Sequence, residues 1–445
     1  MTEPTARPVS LVAAAAEPDA ASAAESSANP ETDRSYRALL RVPGLMRILV
    51  GMSLARIAGG MVSVTAILFT LTTYHSPALA GLVTFAGTAP GLLVSPIAGA
   101  LLDRHGRSRL VVLDYLLGAV ALTLIAILAS ANQLPAWLLI CIAAVSSLTN
   151  PLSNTGLRSL FPMIVPQHLW ERGNAVDANG YVVATLIGPP LAAALVQVWG
   201  GPPAFLVVAA VFAAAAIVLI HIPDPRSSTA SSGGLLADAW RGLVYTVRNP
   251  TLRGLGLAMT SLNVGSGMIT IIIPIIILDR LQLGPAVVGF AWAFSAVCGM
   301  VAAFSFGRRD SRGRERKWLA LSMVGYAAGS ALFLPAPALP LLLLAMGISG
   351  FVSGPLDIAL FTVRQRRTDP AWMGRAFAVS MSFNFAGFPI GSALGGWLVG
   401  QSIELAVVIA VIVALVAAAT AWILIPAEAE PGAGLPGPRR SANLG

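Results

Sequence analysis

Of the chain's 445 residues only 11% are Asp, Glu, Lys or Arg, less than half of the roughly 25% found in soluble globular proteins. Apolar residues make up 56% and mean hydropathy is +0.78, more apolar material than one or two water-facing cores can bury, so most of it must face lipid. There are 28 basic and 20 acidic residues, a formal charge of +8, whose meaning depends on where the charges fall.

Residues 1–36 are rich in Ala, Glu, Pro and Ser. They lack the basic start and apolar core of a signal peptide and are expected to form a disordered cytoplasmic tail. Apolar runs of bilayer length, roughly 17–25 residues, then lie near 45–73, 79–102, 110–131, 136–160, 175–199 and 203–222. SSTASSGG at 227–234 reads as a flexible linker. Six more runs follow near 253–279, 286–307, 318–335, 338–363, 376–399 and 403–425. Backbone groups cannot stay unpaired in hydrocarbon, so each run must be a helix, and none shows the alternation of a barrel strand.

The expectation is an all-α integral membrane protein of twelve transmembrane helices in two six-helix halves. The halves take 37–222 and 251–425, a cytoplasmic linker 223–250 and a second disordered cytoplasmic tail 426–445.

The basic residues set the sidedness. Arg34, Arg37, Arg41 and Arg47 precede span one, Arg104, Arg107 and Arg109 separate spans two and three, and Arg158 and Arg172 separate spans four and five. The same rhythm continues with Arg226, Arg241, Arg248 and Arg253, then Arg308 to Lys317, then Arg364, Arg366, Arg367 and Arg375, and only Arg56 and Arg280 break it. Cytoplasmic loops hold the excess of Lys and Arg, so both termini are expected in the cytoplasm. The net charge is thereby explained without nucleic acid. Trp137, Trp199 and Trp397 lie near the opposite boundaries, where an amphipathic ring anchors to the interface. Cys141 and Cys298 sit in apolar runs where neither a disulfide nor a metal site is expected.

The two halves repeat. An offset of 207 aligns Pro43 with Pro250, Leu45 with Leu252, Met52 with Met259 and Gly60 with Gly267. It also lays DRHGRSR at 103–109 on DSRGRER at 310–316, while NPLSN at 150–154 resembles GPLDI at 354–358 at a slightly smaller shift. Like-oriented repeats of this kind enclose a substrate cavity at their interface near the membrane midplane.

Gly99, Asp103, Arg104, Gly106 and Arg107 form the sharpest motif, repeated less completely in Asp310, Gly313 and Arg314. The glycine permits a tight turn, the aspartate meets a helix dipole or an arginine, and the arginines reach acids on neighbouring helices. Such a latch favours one membrane-facing state and breaks in the other.

This loop resembles that between helices two and three of the major facilitator superfamily. The twelve-span duplication agrees with that family over about residues 37–425. Within it the chain resembles the drug-proton antiporter branch, which includes macrolide-efflux proteins and the enterobactin exporter. That resemblance rests on Asn249-Pro250-x-Leu252-Arg253, Gly188-Pro189, Gly354-Pro355-Leu356-Asp357, and Gln365, Pro370 and Gly374-Arg375. Two departures stand out. Phe306 replaces the glycine matching Gly99, and Gly59 and Gly60 stand where related exporters often place an acid near this segment.

The resemblance implies a proton-coupled exporter of a hydrophobic or amphiphilic small molecule, working in the cell membrane, most simply as a monomer. An importer or facilitator of a small metabolite, or a non-transporting sensor, is the alternative. Gly188, Pro189 and Pro190 fit either the bent fifth helix of exporting relatives or a simple kink.

Among polar groups inside the spans, Arg56 lies deepest, about 18 Å along the helix from Gly44. It is expected either at the substrate or coupling site or in a structural ion pair. Asp357, beside a proline in span ten, is either proton carrier or latch partner. Asp114, five residues past Arg109, is assigned with Arg158 and Arg375 to a cytoplasmic charge network. Asn263, opposite Arg56 under the 207 offset, and Asn384 either line the cavity or bridge helices. The four histidines lack ligand spacing, and there is neither a phosphate-binding loop nor a catalytic cluster, so no metal, no cofactor and no enzyme activity is expected.

Overall fold

The computed structural model describes residues 35–220, 222, 235–309, 311, 313–334, 338–369 and 372–427. Among them every regular element is helical. A short α1 (Tyr36–Leu40) leads into α2 (Leu45–Tyr74), the first span. Spans two and four, read from the sequence as single runs, are each broken: α3 (Pro77–Ala86) with α4 (Ala89–His105), and α6 (Ala136–Ser147) with α7 (Asn150–Ile164). Each second piece starts next to a proline, Pro90 or Pro151, which supplies no N–H to the turn before it and so ends the hydrogen-bond ladder of the first piece. The two breaks face one another, and the Gly91 N–H donates to Ser147 Oγ at 3.3 Å, a partner that hydrocarbon would not provide.

Between them lies α5 (Arg107–Ser130), and the half closes with α8 (Trp170–Trp199) and α9 (Gly201–Leu219). The central connection contains a helix, α10 (Leu235–Arg248), and its SSTASSGG stretch lies outside the described residues. Tyr245 of α10 stacks on Trp372 with ring centroids 5.0 Å apart, and its hydroxyl accepts from the Asp369 N–H at 3.0 Å. The second half comprises α11 (Pro250–Ile275), α12 (Pro285–Gly307), α13 (Glu315–Ala331), α14 (Leu339–Arg366), α15 (Met373–Val399) and α16 (Ile403–Leu424). Asn249 caps α11 by accepting from the Leu252 N–H at 3.1 Å and donates to the Arg367 carbonyl at 3.1 Å, which gives the Asn-Pro-x-Leu motif its structural reason. Among the described residues ten helical stretches are long and apolar enough to cross a membrane; α13 and α15 fill the places of spans nine and eleven.

The repeat is visible in the packing. In the first half α8 crosses α2 where a Cβ on Gly188 would stand 3.0 Å from the Ile57 carbonyl oxygen. In the second, α15 crosses α11 where a Cβ on Gly391 would run into the Val264 carbonyl oxygen. Ile57 and Val264 are related by the 207 offset seen in the sequence. Replacing Gly391 by Val is expected to force these helices apart, a cost of about 1–3 kcal/mol or more. Gly118→Ala, where a Cβ meets nothing within 4 Å, is expected to be neutral or slightly stabilising. Thermal unfolding of the detergent-solubilised variants distinguishes the two, and equal transitions would refute the close-packing argument.

The halves meet through another symmetric pair of contacts. Gly81 of α3 lies against Ser392 and Gly396 of α15, and Gly289 of α12 against Pro190 and Ala193 of α8. Beside the second contact, the Ala286 N–H donates to Gln197 Oε1 at 2.7 Å. These close approaches lie on the charge-poor side of the bundle, where Arg280, the basic residue outside the rhythm, pairs with Glu404. Arg37, Arg41, Arg104, Arg109, Arg248 and Arg308 are exposed at the other end. Trp137, Trp199 and Trp397 are exposed on the outside of the bundle, as interface anchors would be.

Candidate substrate site

The crossing of α2 and α8 sets the site. Close approach at Gly60 and Gly188 brings the turn of α2 that carries Arg56 against the turns of α8 that carry Asp177 and Tyr181. Arg56 Nη2 stands 2.8 Å from Asp177 Oδ1, and Nη1 donates to the Asp177 carbonyl at 3.0 Å. The guanidinium also lies 5.1 Å from the Tyr181 ring centre, a cation–π distance. The deep cation thus takes the ion-pair alternative, and it does so in a cavity wall.

That cavity, about 420 Å³, is lined by Arg56, Asp114, Tyr115, Asn150, Ser153, Asn154, Tyr181, Thr185 and Phe212 among others. A second, about 220 Å³ and mostly apolar, adjoins it and is lined by Val62, Ala66, Leu122, Ile125, Leu139 and Phe205. Gly59, Asp114, Asn150 and Phe212 belong to both. A third cavity, about 300 Å³, lies at the broken second and fourth spans and reaches Phe385, Phe388 and Pro389 of the other half. Gly59 and Gly60, the departure from related exporters, line the first cavity without a carboxylate.

Asp114 departs from the expectation that it belongs to a cytoplasmic charge network. It is 5% exposed and lines both N-half cavities, beside the hydroxyls of Ser153 and Thr149 of span four. Five residues from Arg109 are a turn and a half of helix, enough to carry the side chain from the loop to the cavity wall. The side chains of Arg158 and Arg375, its assigned companions, lie outside the described residues.

The second half carries neutral groups at the matching places. Asn263 donates to the Asn384 carbonyl at 2.8 Å and to the Met259 carbonyl at 3.0 Å, so it bridges α11 and α15 as Arg56 bridges α2 and α8. Asn384 Oδ1 is buried with no hydrogen-bond partner among the described residues. Asp357 is exposed on α14 and makes no hydrogen bond or ion pair among the described residues. Arg364, one of the largest fully buried side chains, donates to Met381 Sδ at 2.9 Å; sequence reading treated it only as one of the basic loop residues.

Of the latch residues, Gly99 lies within α4, while the side chain of Asp103 and the whole of Asp310 lie outside the described residues. Gly106 and Gly313 take φ of 93° and 72°, backbone that disfavours any Cβ. Arg104 and Arg314 are exposed and Arg107 is half-buried. Around the second copy, the buried Glu315 pairs with Arg366. Phe306, in the place of a glycine, makes edge contacts with Trp318 at 5.5 Å and Phe351 at 6.0 Å. Glu315 follows the motif directly, and no sequence feature singled it out. Pro189 and Pro190 lie inside a continuous α8, with Pro189 against Gly60. Among the described residues no group of His, Cys, Asp or Glu is placed to hold a metal.

A duplicated bundle of apolar helices, closed between its halves on one side and hollowed by a mixed polar and apolar cavity, is the build of a secondary transporter. The Major Facilitator Superfamily matches residues 48–265 and 255–443, and the chain belongs to that family. It is 36% identical to the uncharacterized MFS-type transporter y4rN of Sinorhizobium fredii, over 90% of this chain and 99% of that one. It is 22% identical to the multidrug efflux pump Tap of Mycolicibacterium fortuitum, covering 79% and 88% of the two chains. To macrolide efflux protein A of Streptococcus pyogenes it is 23% identical, covering 74% and 83%. Among solved structures it resembles a bacterial homologue of the lysosomal transporter Spinster in an inward-facing, unoccupied conformation, with TM-score 0.68, 14% identity and 89% and 98% coverage. The nucleoside transporter NupG gives 0.64, 15%, 85% and 96%. Both show the fold.

Proposed function

We propose that the protein is a proton-coupled exporter of amphiphilic small molecules in the cell membrane, working as a monomer with both termini in the cytoplasm. The observation that carries this reading is the continuous N-half cavity, in which a polar compartment around Arg56 and Asp114 runs into an apolar one around Leu122 and Phe205. A molecule with a polar head and an apolar body fills both. With the arginine-rich side in the cytoplasm, the contacts of Gly81 and Gly289 close the outer side, and the cavity belongs to the state that loads from within. Tap and macrolide efflux protein A, named for efflux, support the direction.

Two measurements test the reading. In a pump-deficient host, the intact protein is expected to protect against part of a panel of chemically diverse toxic compounds. Arg56→Gln at matched membrane level is expected to lose that protection. In everted vesicles energised to an acid interior, adding a protective compound is expected to dissipate the pH gradient. Compound that equilibrates without touching the gradient would mean facilitated diffusion. Protection against nothing, with good expression, would set export aside.

A further inference from the structure

We propose that the outward face of α10 binds anionic phospholipid of the leaflet at the arginine-rich end, and that the bound headgroups hold α10 against the start of span eleven. Neither part depends on the direction of transport.

The two faces of α10 have different surroundings. Gly242, Tyr245 and Thr246 are buried. The Tyr245 ring stacks on Trp372, just before α15, its hydroxyl accepts from the Asp369 N–H, and the Thr246 hydroxyl donates to the Gly242 carbonyl at 2.9 Å. Trp240, Arg241, Val247 and Arg248 are exposed. They share the other face, because residues seven apart lie two turns above one another and their chain neighbours flank them. The side chains of Leu235 to Ala239, Asp238 among them, lie outside the described residues.

The chain fixes the depth of this face. α10 ends at Arg248, and Asn249 caps α11, the seventh span. On α11, Arg253 and Leu257 are both exposed, a guanidinium followed one turn and about 6 Å later by an apolar side chain. The boundary between headgroups and hydrocarbon therefore falls within this turn. Arg248, five residues before Arg253, lies on its headgroup side.

The chemistry of the face selects its occupant. Trp240 is 65% exposed and Val247 47%; an indole and a short aliphatic chain beside arginines suit the membrane interface better than water. Arg241, Arg248 and Arg253 supply three cations at that level, and a guanidinium pairs with two phosphate oxygens at once. A headgroup with one net negative charge, that of phosphatidylglycerol, meets these arginines while its acyl chains run on past Leu257. Each such cation near the surface enriches anionic lipid by roughly fivefold. Because α10 also packs on α4 of the other half, the helix so held stands at the joint between the halves.

The test uses the full-length protein in phosphatidylcholine nanodiscs with a fifth of the lipid exchanged for phosphatidylglycerol. Bromine on the acyl chains quenches nearby indoles, and the signal of Trp240 is the difference between the intact protein and Trp240→Phe. At equal mole fraction, brominated phosphatidylglycerol is expected to quench Trp240 about threefold or more above brominated phosphatidylcholine, a preference that high salt removes. Arg241→Gln, Arg248→Gln and Arg253→Gln together are expected to bring the ratio to about one, whereas lysine at all three positions is expected to keep it near twofold. In hydrogen–deuterium exchange, phosphatidylglycerol is expected to slow α10 and the first turn of α15 severalfold in the intact protein and in neither segment of the glutamine variant.

Equal quenching by the two lipids in the intact protein, or a preference that survives in the glutamine variant, overturns the lipid surface. Quenching by neither lipid places α10 off the bilayer and overturns it as well. A preference that leaves exchange in α15 unchanged overturns the hold on span eleven alone.

Discussion

Joining span five to span eight on the charge-poor side is expected to abolish transport completely and reversibly. Gln197 and Ala286 already touch across the halves, and Gly289 packs on Pro190 and Ala193 a turn further in. Alternating access requires this contact to part when the cavity opens to the other side. A cysteine pair at 197 and 286, bridged by a short reducible bis-thiosulfonate, holds it shut. Cys141 and Cys298 are free thiols, the first exposed, so both are replaced by serine beforehand. Vesicle transport is expected to fall below about a hundredth of its value and return on reduction, while binding of rhodamine 6G, an amphiphilic cation, persists because the cavity on the arginine-rich side is untouched. Transport unimpaired by complete cross-linking, seen as a mass shift, would show that the halves do not rock about this contact. A sensor on the same fold would keep its activity when locked.

The sequence disclosed the fold through features that physics makes periodic or one-sided. Hydrocarbon demands long apolar helices, so the spans could be counted. The arginines fall to one end of the bundle, and the 207 offset disclosed the duplication that the packing of α8 on α2 and of α15 on α11 repeats. What stayed hidden depended on small numbers of atoms. Pro90 and Pro151 break their spans, yet Pro189, Pro190 and Pro355 sit inside continuous helices, because local chemistry alone does not decide whether neighbours re-satisfy the freed groups.

The site was legible as an inventory and not as an arrangement. Arg56 announced itself as a deep cation, but its partner Asp177 is 121 positions away, on a helix whose rotation hydropathy does not report. Asp114 was misassigned because distance along the chain from Arg109 stood in for depth in the bundle. That Phe306 stands where the second copy would have its glycine is plain in the sequence, whereas its packing on Trp318 and Phe351, beside the Glu315–Arg366 pair, needed three dimensions.

The Arg56–Asp177 pair stands beside a cavity that holds a second carboxylate, Asp114. Asp177→Asn frees Arg56 in a cavity whose described lining holds one other charged side chain, Asp114, so the guanidinium is expected to turn to it. Rhodamine 6G affinity should fall at least tenfold. Arg56→Gln leaves two carboxylates uncompensated; a broken buried pair costs about 3–5 kcal/mol, and less is expected here because the side chains are 16% and 28% exposed. This variant is expected to bind the cation no worse than intact protein yet fail to transport it, since a second carboxylate opposes release. The double variant, Arg56→Gln with Asp177→Asn, returns the count to one uncompensated carboxylate, and its affinity is expected within about threefold of the intact protein. Such recovery is a coupling between neighbours that additive effects cannot produce. A double variant as weak as Asp177→Asn alone would mean that the pair positions helices α2 and α8 and takes no part in setting the charge of the site.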